Sequence, residues 1–364
     1  MRFTTITIAL FFFCPLLLSF AQENPQVSWT HVATYDSGFA APYDFQLLLD
    51  DTSQPTSVLA IDPFSSDQVL ARIRLADASP IGSTVVSGEG PGELSGEEVK
   101  ISQFSDGGFL VWDSGQRRAY VYDSDIHFQG QVRGISGFPG DLFLVNDSTV
   151  AMASFSPDSS IFTLHRLRED NGAYQITDRS VATVDVSDSP ALEQSDIDDN
   201  VMLRQGPHHT TQNGAFFGFT YGSLVLKLTE EGLRWATTDP PEHALPLYDY
   251  RDGYTVSAPD VTEHPLGVLD VTGGDQYLYV LYSGRKIDRA GLFATMTGAI
   301  QRRLEEIRHS GRLYVLDQDT GRVVADTELP TRARSISVAG DYLGLLTHEG
   351  DEPAFEIYEL PQEW

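Results

Sequence analysis

The stretch Gly108-Phe-Leu-Val-Trp-Asp-Ser-Gly-Gln-Arg-Arg-Ala-Tyr-Val-Tyr-Asp123 decides the fold. Its halves, Phe109–Asp113 and Ala119–Asp123, are short runs of aromatic and β-branched residues, which suit a pleated, buried surface. A turn joins them, and Asp106-Gly107-Gly108 marks another turn just before. Working outward, Val99–Gln103 reads as an inner strand and Phe128–Gly134 as an outer one. The result is one four-stranded antiparallel unit.

Similar strand pairs recur along the chain. They are Phe45–Leu49 with Val58–Asp62, Val150–Ser154 with Phe162–Leu167, and Ala215–Thr220 with Leu224–Leu228. Tyr277–Tyr282 pairs with Leu313–Asp317, and Tyr342–Thr347 with Phe355–Leu360. With the stretch above, these give six pairs. A period of about fifty residues, with several strands per unit, is the mark of a β-propeller. The last unit, Arg334–Val338 onward, lacks an outer strand, while Trp29–Tyr35 near the N-terminus has no partner. The N-terminal segment therefore supplies the missing strand and covers the edge that an open ring would expose. The expected fold is all-β: a six-bladed β-propeller of four-stranded antiparallel blades, its last blade closed by the N-terminal strand.

One segment breaks the pattern. Between Gly284 and Gly311, Phe293, Met296, Ile300, Leu304 and Ile307 are spaced as a helical stripe. This predicts a helical insertion at about 285–311, in blade five, acting as a cap on the ring or as a partner-binding lid. Arg285, Lys286, Arg289, Arg302, Arg303, Arg308 and Arg312 concentrate basic charge there. They read as neutralising an acidic body or, more sharply, as docking an anionic partner.

The loop Val86-Ser-Gly-Glu-Gly-Pro-Gly-Glu-Leu94 resembles the G-x-G-P-G-E-F/L loop of bacterial NHL-like six-bladed propellers. The stretch from Gly108 to Asp123 is similar to the NHL unit, and Tyr279-Val-Leu-Tyr-Ser-Gly-Arg285 resembles a segment of the TolB-like branch. The third unit departs from the pattern, with Arg168 where others have aspartate. The resemblance implies a secreted bacterial six-bladed propeller. It implies no particular activity.

Composition bounds the function. Arg2 precedes the nearly apolar run Ile6–Phe20, and Ser19-Phe20-Ala21 is a small-x-small cleavage pattern. Residues 1–21 thus read as a signal peptide and 22–364 as the propeller domain. The apolar run is shorter than the ~20 residues a spanning helix needs, so a secreted or periplasmic protein with no membrane span after cleavage is expected. The only cysteine is Cys14, within the signal segment, which excludes disulfide frameworks and cysteine chemistry from the rest. Fifty-two acidic residues against 24 basic ones give a net charge of −28, which repels nucleic acid.

Each candidate site has a plain and a functional reading. Gly88, Gly90, Pro91, Gly92 and Glu93 form a kinked loop, either a sharp connector between blades or a phosphate cradle. His208 and His209 fall in a loop-like stretch, Gln205–Gly214. Adjacent positions on a strand face opposite ways, so the two would not share a metal. Together with Arg285 they are the ligand candidates. Asp196, Asp198 and Asp199 could hold calcium, but EF-hand spacing is missing, so no cofactor is assigned. Asp317-Gln-Asp-Thr-Gly321 reads as a hairpin turn. No G-x-S-x-G or H-E-x-x-H motif occurs. The favoured function is an extracytoplasmic binding or scaffold protein for a protein, peptide or glycan. The alternative is a channel-sited metal-dependent hydrolase, lactonase or lyase, which requires polar residues from at least three blades to converge on the axis.

Overall fold

The structure, a computed structural model, describes residues 27–364 apart from 38, 40, 51, 66, 97–98, 137–138, 155–159, 186–187, 189–205, 238–264, 286–307, 350–351 and 363. All regular elements among the described residues are strands. The first antiparallel meander runs β2 (Asp44–Leu49), β3 (Pro55–Ile61), β4 (Leu70–Arg74) and β5 (Pro80–Val85). The second is β6 (Val99–Gln103), β7 (Phe109–Asp113), β8 (Arg118–Tyr122) and β9 (Phe128–Arg133). The third is β10 (Pro139–Asn146), β11 (Thr149–Ser154), β12 (Ser160–Asp170) and β13 (Ala173–Asp185). The fourth is β14 (His208–Thr211), β15 (Gly214–Gly218), β16 (Val225–Thr229) and β17 (Gly232–Ala236).

The fifth and sixth meanders share one strand. β18 (Val268–Gly273), β19 (Tyr277–Tyr282) and β20 (Ser310–Asp317) pair in order, and β20 then pairs with the first half of β21 (Val323–Ala339). The second half of β21 pairs with β22 (Tyr342–Glu349), which pairs with β23 (Glu352–Glu359). The outer edge of β23 is covered by β1 (Thr30–Asp36), with Thr30 opposite Glu359 and Asp36 opposite Ala354. The N-terminal segment thus takes the place foreseen for Trp29–Tyr35. A short parallel contact also joins β9 to β13.

Hydrophobic clusters show how the meanders are assembled. Leu59 and Ile61 pack with Val99 and Val111, between the first and second meanders. Trp112 and Leu144 mark the next junction, and Phe143 and Phe217 the one after. Phe216 meets Val268 between the fourth and fifth, and Tyr279 meets Ile336 between the fifth and sixth. The series then returns to its start: Phe45 and Val58 pack with Leu346 and Phe355, between the sixth and first. Phe216 and Phe217 are neighbours in β15 yet enter different clusters, because successive strand side chains point to opposite faces. Each sheet is therefore packed on both sides. This is why a strand such as Phe109-Leu-Val-Trp-Asp113 is buried along its whole length and shows no polar alternation. The fold is a β-propeller.

Two expectations need adjustment. Phe45–Leu49 and Val58–Ile61 are strands one and two of their meander, whereas the other five pairs are strands two and three. That difference of phase makes the first interval of the repeat long. His208-His209 is not in a loop: it opens β14, a first strand. The predicted helix lies outside the described residues, as do the 1–21 segment and Asp196–Asp199.

Candidate functional site

The first strands β2, β21, β18, β14, β10 and β6 lie against one another in that order. Each has one edge in its own ladder and one edge free of it. Side chains from neighbouring meanders cover the free edges. Ser337 Oγ accepts from Leu47 N–H at 2.8 Å, Thr272 Oγ1 from Val338 N–H at 2.9 Å, and Ser102 Oγ from Leu144 N–H at 3.2 Å. Thr210 Oγ1 donates to the Leu144 carbonyl at 2.8 Å.

Two charged groupings sit where these strands begin. Asp44, Asp141 and Asp270 each accept the N–H of the next residue, from Phe45, Leu142 and Val271. Lys100 Nζ pairs with Asp141 and donates to the Gly206 carbonyl at 2.8 Å, so it spans meanders two, three and four. Ser335 Oγ lies 2.9 Å from Asp44 Oδ1 and 2.6 Å from Asp270 Oδ2, spanning one, five and six. Asp270 Oδ2 also accepts Ile336 N–H at 2.8 Å. Burial, then the charge of Asp44, pushes the Asp270 carboxyl well above the ordinary carboxylate range. Burial likewise raises Asp44, which Lys100 and Arg334 partly oppose. Polar groups from all six meanders thus converge at this end of the first strands.

The two histidines of β14 are separated by the pleat. His208 stacks on Phe143 at 4.6 Å, and its Nε2 lies 2.9 Å from Ser102 Oγ and 3.2 Å from the Ile101 carbonyl. A carbonyl only accepts, so Nε2 carries the proton. Ser102 already accepts from Leu144, and this Ser–His contact is a link between meanders rather than an activated nucleophile. His209 instead lies against Gly273 in β18. Burial, then Lys100, holds His208 well below the usual histidine value, and burial brings His209 down to about 4. Both are neutral at pH 7. Among the described residues no group of three or more His, Cys, Asp or Glu is arranged to hold a metal ion.

The Gly88–Glu93 loop is folded around its own acid. Glu93 Oε2 accepts Gly90 N–H at 2.8 Å, and a Cβ on Gly88 would come within 2.0 Å of that oxygen. Gly92 has φ +76°, and a Cβ there would strike the Phe128 ring at 2.7 Å. Gly88 N donates to Leu94 O, Leu94 N to Val86 O and Glu93 N to Gly90 O. Those donors are spent within the loop and are not turned toward a ligand. Gln116 Nε2 reaches from the β7–β8 turn to the Gly88 carbonyl at 2.7 Å, and Tyr122 Oη donates to Gly92 O at 3.0 Å. The connector is a fixed part of the rim.

Around this loop the surface is unusually apolar. Phe64 is 78% exposed, Val86 and Phe128 are 40% exposed and Tyr43 is 37% exposed. Tyr43, Phe64 and Val86 stand at the end of the first meander where Asp44, Ile61, Leu70 and Val85 are level, whereas Phe128 stands at the other end of the second meander, level with Tyr122, Phe109 and Gln103. Tyr43 N bonds Ile61 O, and Phe64 N bonds Asp62. The Pro63 carbonyl lies against Gly96, Leu94 N bonds Val86 O, and Gly92 abuts Phe128. A hollow of about 560 Å³ opens beside them, lined in part by Ser87, Glu89, Gln116 and Arg118. The loop enters β6 at its start, so the end carrying Tyr43, Phe64 and Val86 is on the same side as the Asp44 and Asp270 grouping. Arg285 is exposed at the end of the β19 connection, its carbonyl accepting Leu266 N–H.

Sequence reasoning singled out the loop and the histidines but missed Asp44, Lys100, Asp141, Asp270 and Ser335. A usable signal exists: in three meanders an aspartate sits at the start of the first strand's apolar run. It becomes visible only with the strands in correct phase.

No family model and no curated protein matches the chain. Among solved structures, the β-propeller domain of Myceliophteria thermophila Cps50 (Swd1) is similar, with 10% identity and a TM-score of 0.46 over 92% of this chain and 100% of that one. BBS1N, solved in complex with ARL6DN, is similar at 11% identity and a TM-score of 0.43, over 88% of this chain and 79% of that one. Among the described residues no helix is long and apolar enough to cross a membrane.

Proposed function

We propose that the protein is a secreted or periplasmic six-bladed propeller of the NHL-like kind that holds a protein, peptide or glycan partner on the rim around the Gly88–Glu93 loop. The blade count is supported by six junction clusters among the described residues, the last returning to the first meander. The secreted location rests on the N-terminal sequence alone. One observation carries the binding role: Tyr43, Phe64 and Val86, three of the six large exposed apolar side chains among the described residues, stand at the end of the first meander where Asp44, Ile61, Leu70 and Val85 are level in the ladder. Large apolar side chains exposed at one end of a meander in a strongly acidic protein are most economically a contact surface. The test is affinity capture from the native envelope with Phe64→Ser/Val86→Ser beside the unaltered protein. A partner retained by the unaltered protein and lost at least tenfold by the variant, at equal thermal stability, supports the reading. Equal capture by both contradicts it.

A second reading is favoured by the converging groups at the first-strand starts, which is the arrangement a channel-sited enzyme needs. Asp44 and Asp270, unequal in environment and bridged by Ser335, could serve as general base and acid. The pair itself supports a lyase or hydrolase working by acid–base chemistry; a metal-dependent lactonase is the other form of this reading. Turnover of a glycoside or lactone panel, abolished by Asp44→Asn, would establish it over the binding role.

A further inference from the structure

Ser335 raises a question of proton counting that is independent of either functional reading. Its hydroxyl oxygen lies within hydrogen-bond distance of Asp44 Oδ1 and Asp270 Oδ2, at 2.9 and 2.6 Å. A serine has one proton to give. If both acids were ionised, one of these contacts would set a lone pair of the serine oxygen against a carboxylate oxygen. The nearby backbone donors do not resolve this: Phe45 N–H is directed to Asp44 Oδ1, Val271 N–H to Asp270 Oδ1 and Ile336 N–H to Asp270 Oδ2.

We propose that Asp44, Ser335 and Asp270 form a proton-binding site that holds one additional proton at neutral pH, and that this proton fastens the first, fifth and sixth meanders together. The chain of donation runs from the Asp270 carboxyl O–H to Ser335 Oγ, and from the Ser335 O–H to the Asp44 carboxylate. The assignment to Asp270 follows from what faces each acid. Asp44, on β2, is approached by the cations Lys100 of β6 and Arg334 of β21, which favour its charge. Asp270, on β18, is 8% exposed and has the negative Asp44 as its charged neighbour. The directions in which burial and neighbours move the two acids agree with this. Taking two carboxylates out of water side by side is unfavourable unless one is neutralised.

The sign of the pH dependence follows. An unfolded aspartate titrates at about 4, and the folded site binds its proton above that. Between about pH 4 and the raised folded value, the folded state holds more protons than the unfolded one. The site's contribution is therefore greatest at the acid end and falls as pH rises through that window, by up to about tenfold in the folding equilibrium per pH unit. In Asp270→Asn the amide N–H replaces the carboxyl O–H as donor to Ser335 but cannot accept the Ile336 N–H, so the slope is removed at some cost in stability.

Infrared spectroscopy of the intact protein at pH 7 reads the proton directly, through the carbonyl stretch of a carboxylic acid. The unaltered protein should show that band and lose it on raising the pH, with a fall in melting temperature. Asp270→Asn should lack it at pH 7. Asp44→Asn should also lack it, because Asp270 is then free to ionise and accept the Ser335 proton. Absence of an acid band from the unaltered protein at pH 7 overturns the proposal without any variant. An undiminished band in either variant that folds overturns it as well.

Discussion

Ser337 illustrates how little separates a closed ring from an open one. Its hydroxyl accepts the Leu47 N–H across the junction of the first and sixth meanders, 290 residues away in the chain. Without it, that buried donor has no substitute at hand. Ser337→Ala should destabilise the protein by about 1–3 kcal/mol, the cost of a buried unsatisfied donor, seen as a lower urea midpoint with an unchanged slope. An unaltered midpoint would show that another group covers the Leu47 N–H. His209 gives a second residue-scale expectation. Its folded value of about 4 lies below the ordinary histidine value of about 6.5, so the unfolded chain binds the proton more readily between those limits. Stability from this site is complete above about pH 6.5 and falls as the pH drops toward 4. His209→Gln should flatten that part of the melting-temperature profile. A profile parallel to that of the unaltered protein would refute the assignment. Neither residue's role was legible from sequence. A serine that covers a neighbour's edge looks like any other serine, and a histidine's burial is decided by a strand of another meander.

At the scale of elements, sequence spoke clearly wherever strands are packed on both faces. Phe109–Asp113 and Tyr277–Tyr282 are nearly continuous in apolar residues, and both are strands at those bounds. It spoke poorly for β14, whose His-His-Thr-Thr sequence has no apolar run to mark it and is held in place by the ladder to β15 and by contacts with Phe143 and Gly273. β21 hid a different feature, one strand serving two meanders, which no local periodicity reveals. The Gly88–Glu93 loop was recognised as distinctive, but its reason is now specific. Gly92 occupies the left-handed region with an aromatic ring against its α-carbon. Gly92→Ala should therefore cost about 1–3 kcal/mol and loosen Phe128, read as faster hydrogen exchange across β8–β9. Unchanged exchange there would mean that the loop adapts freely and is no fixed part of the rim.

For the whole molecule, the controlling fact is that the first strand completes the last meander. β23 would otherwise present a bare ladder edge, which invites association with other chains. Placing β1 there makes the fold depend on residues at opposite ends of the sequence, and it brackets all six junction clusters within one circuit. The rim proposed to bind a partner is rigid only if that circuit is closed. Sequence anticipated the closure, since Trp29–Tyr35 was an orphan strand and the final unit lacked one. It did not reveal that Tyr43, Phe64 and Val86 share one end of the first meander, because that follows only from the register of its four strands.

Closure can be measured with a cysteine pair in the chain without its first 21 residues, which has no native cysteine. Thr30 and Glu359 are exposed and directly opposed in the β1–β23 ladder. Thr30→Cys/Glu359→Cys should form an intramolecular disulfide in the monomer on mild oxidation. A cross-link spanning nearly the whole chain should raise stability by up to about 5 kcal/mol. A pair that stays reduced, or that links only separate molecules, would contradict a ring closed by its own first strand.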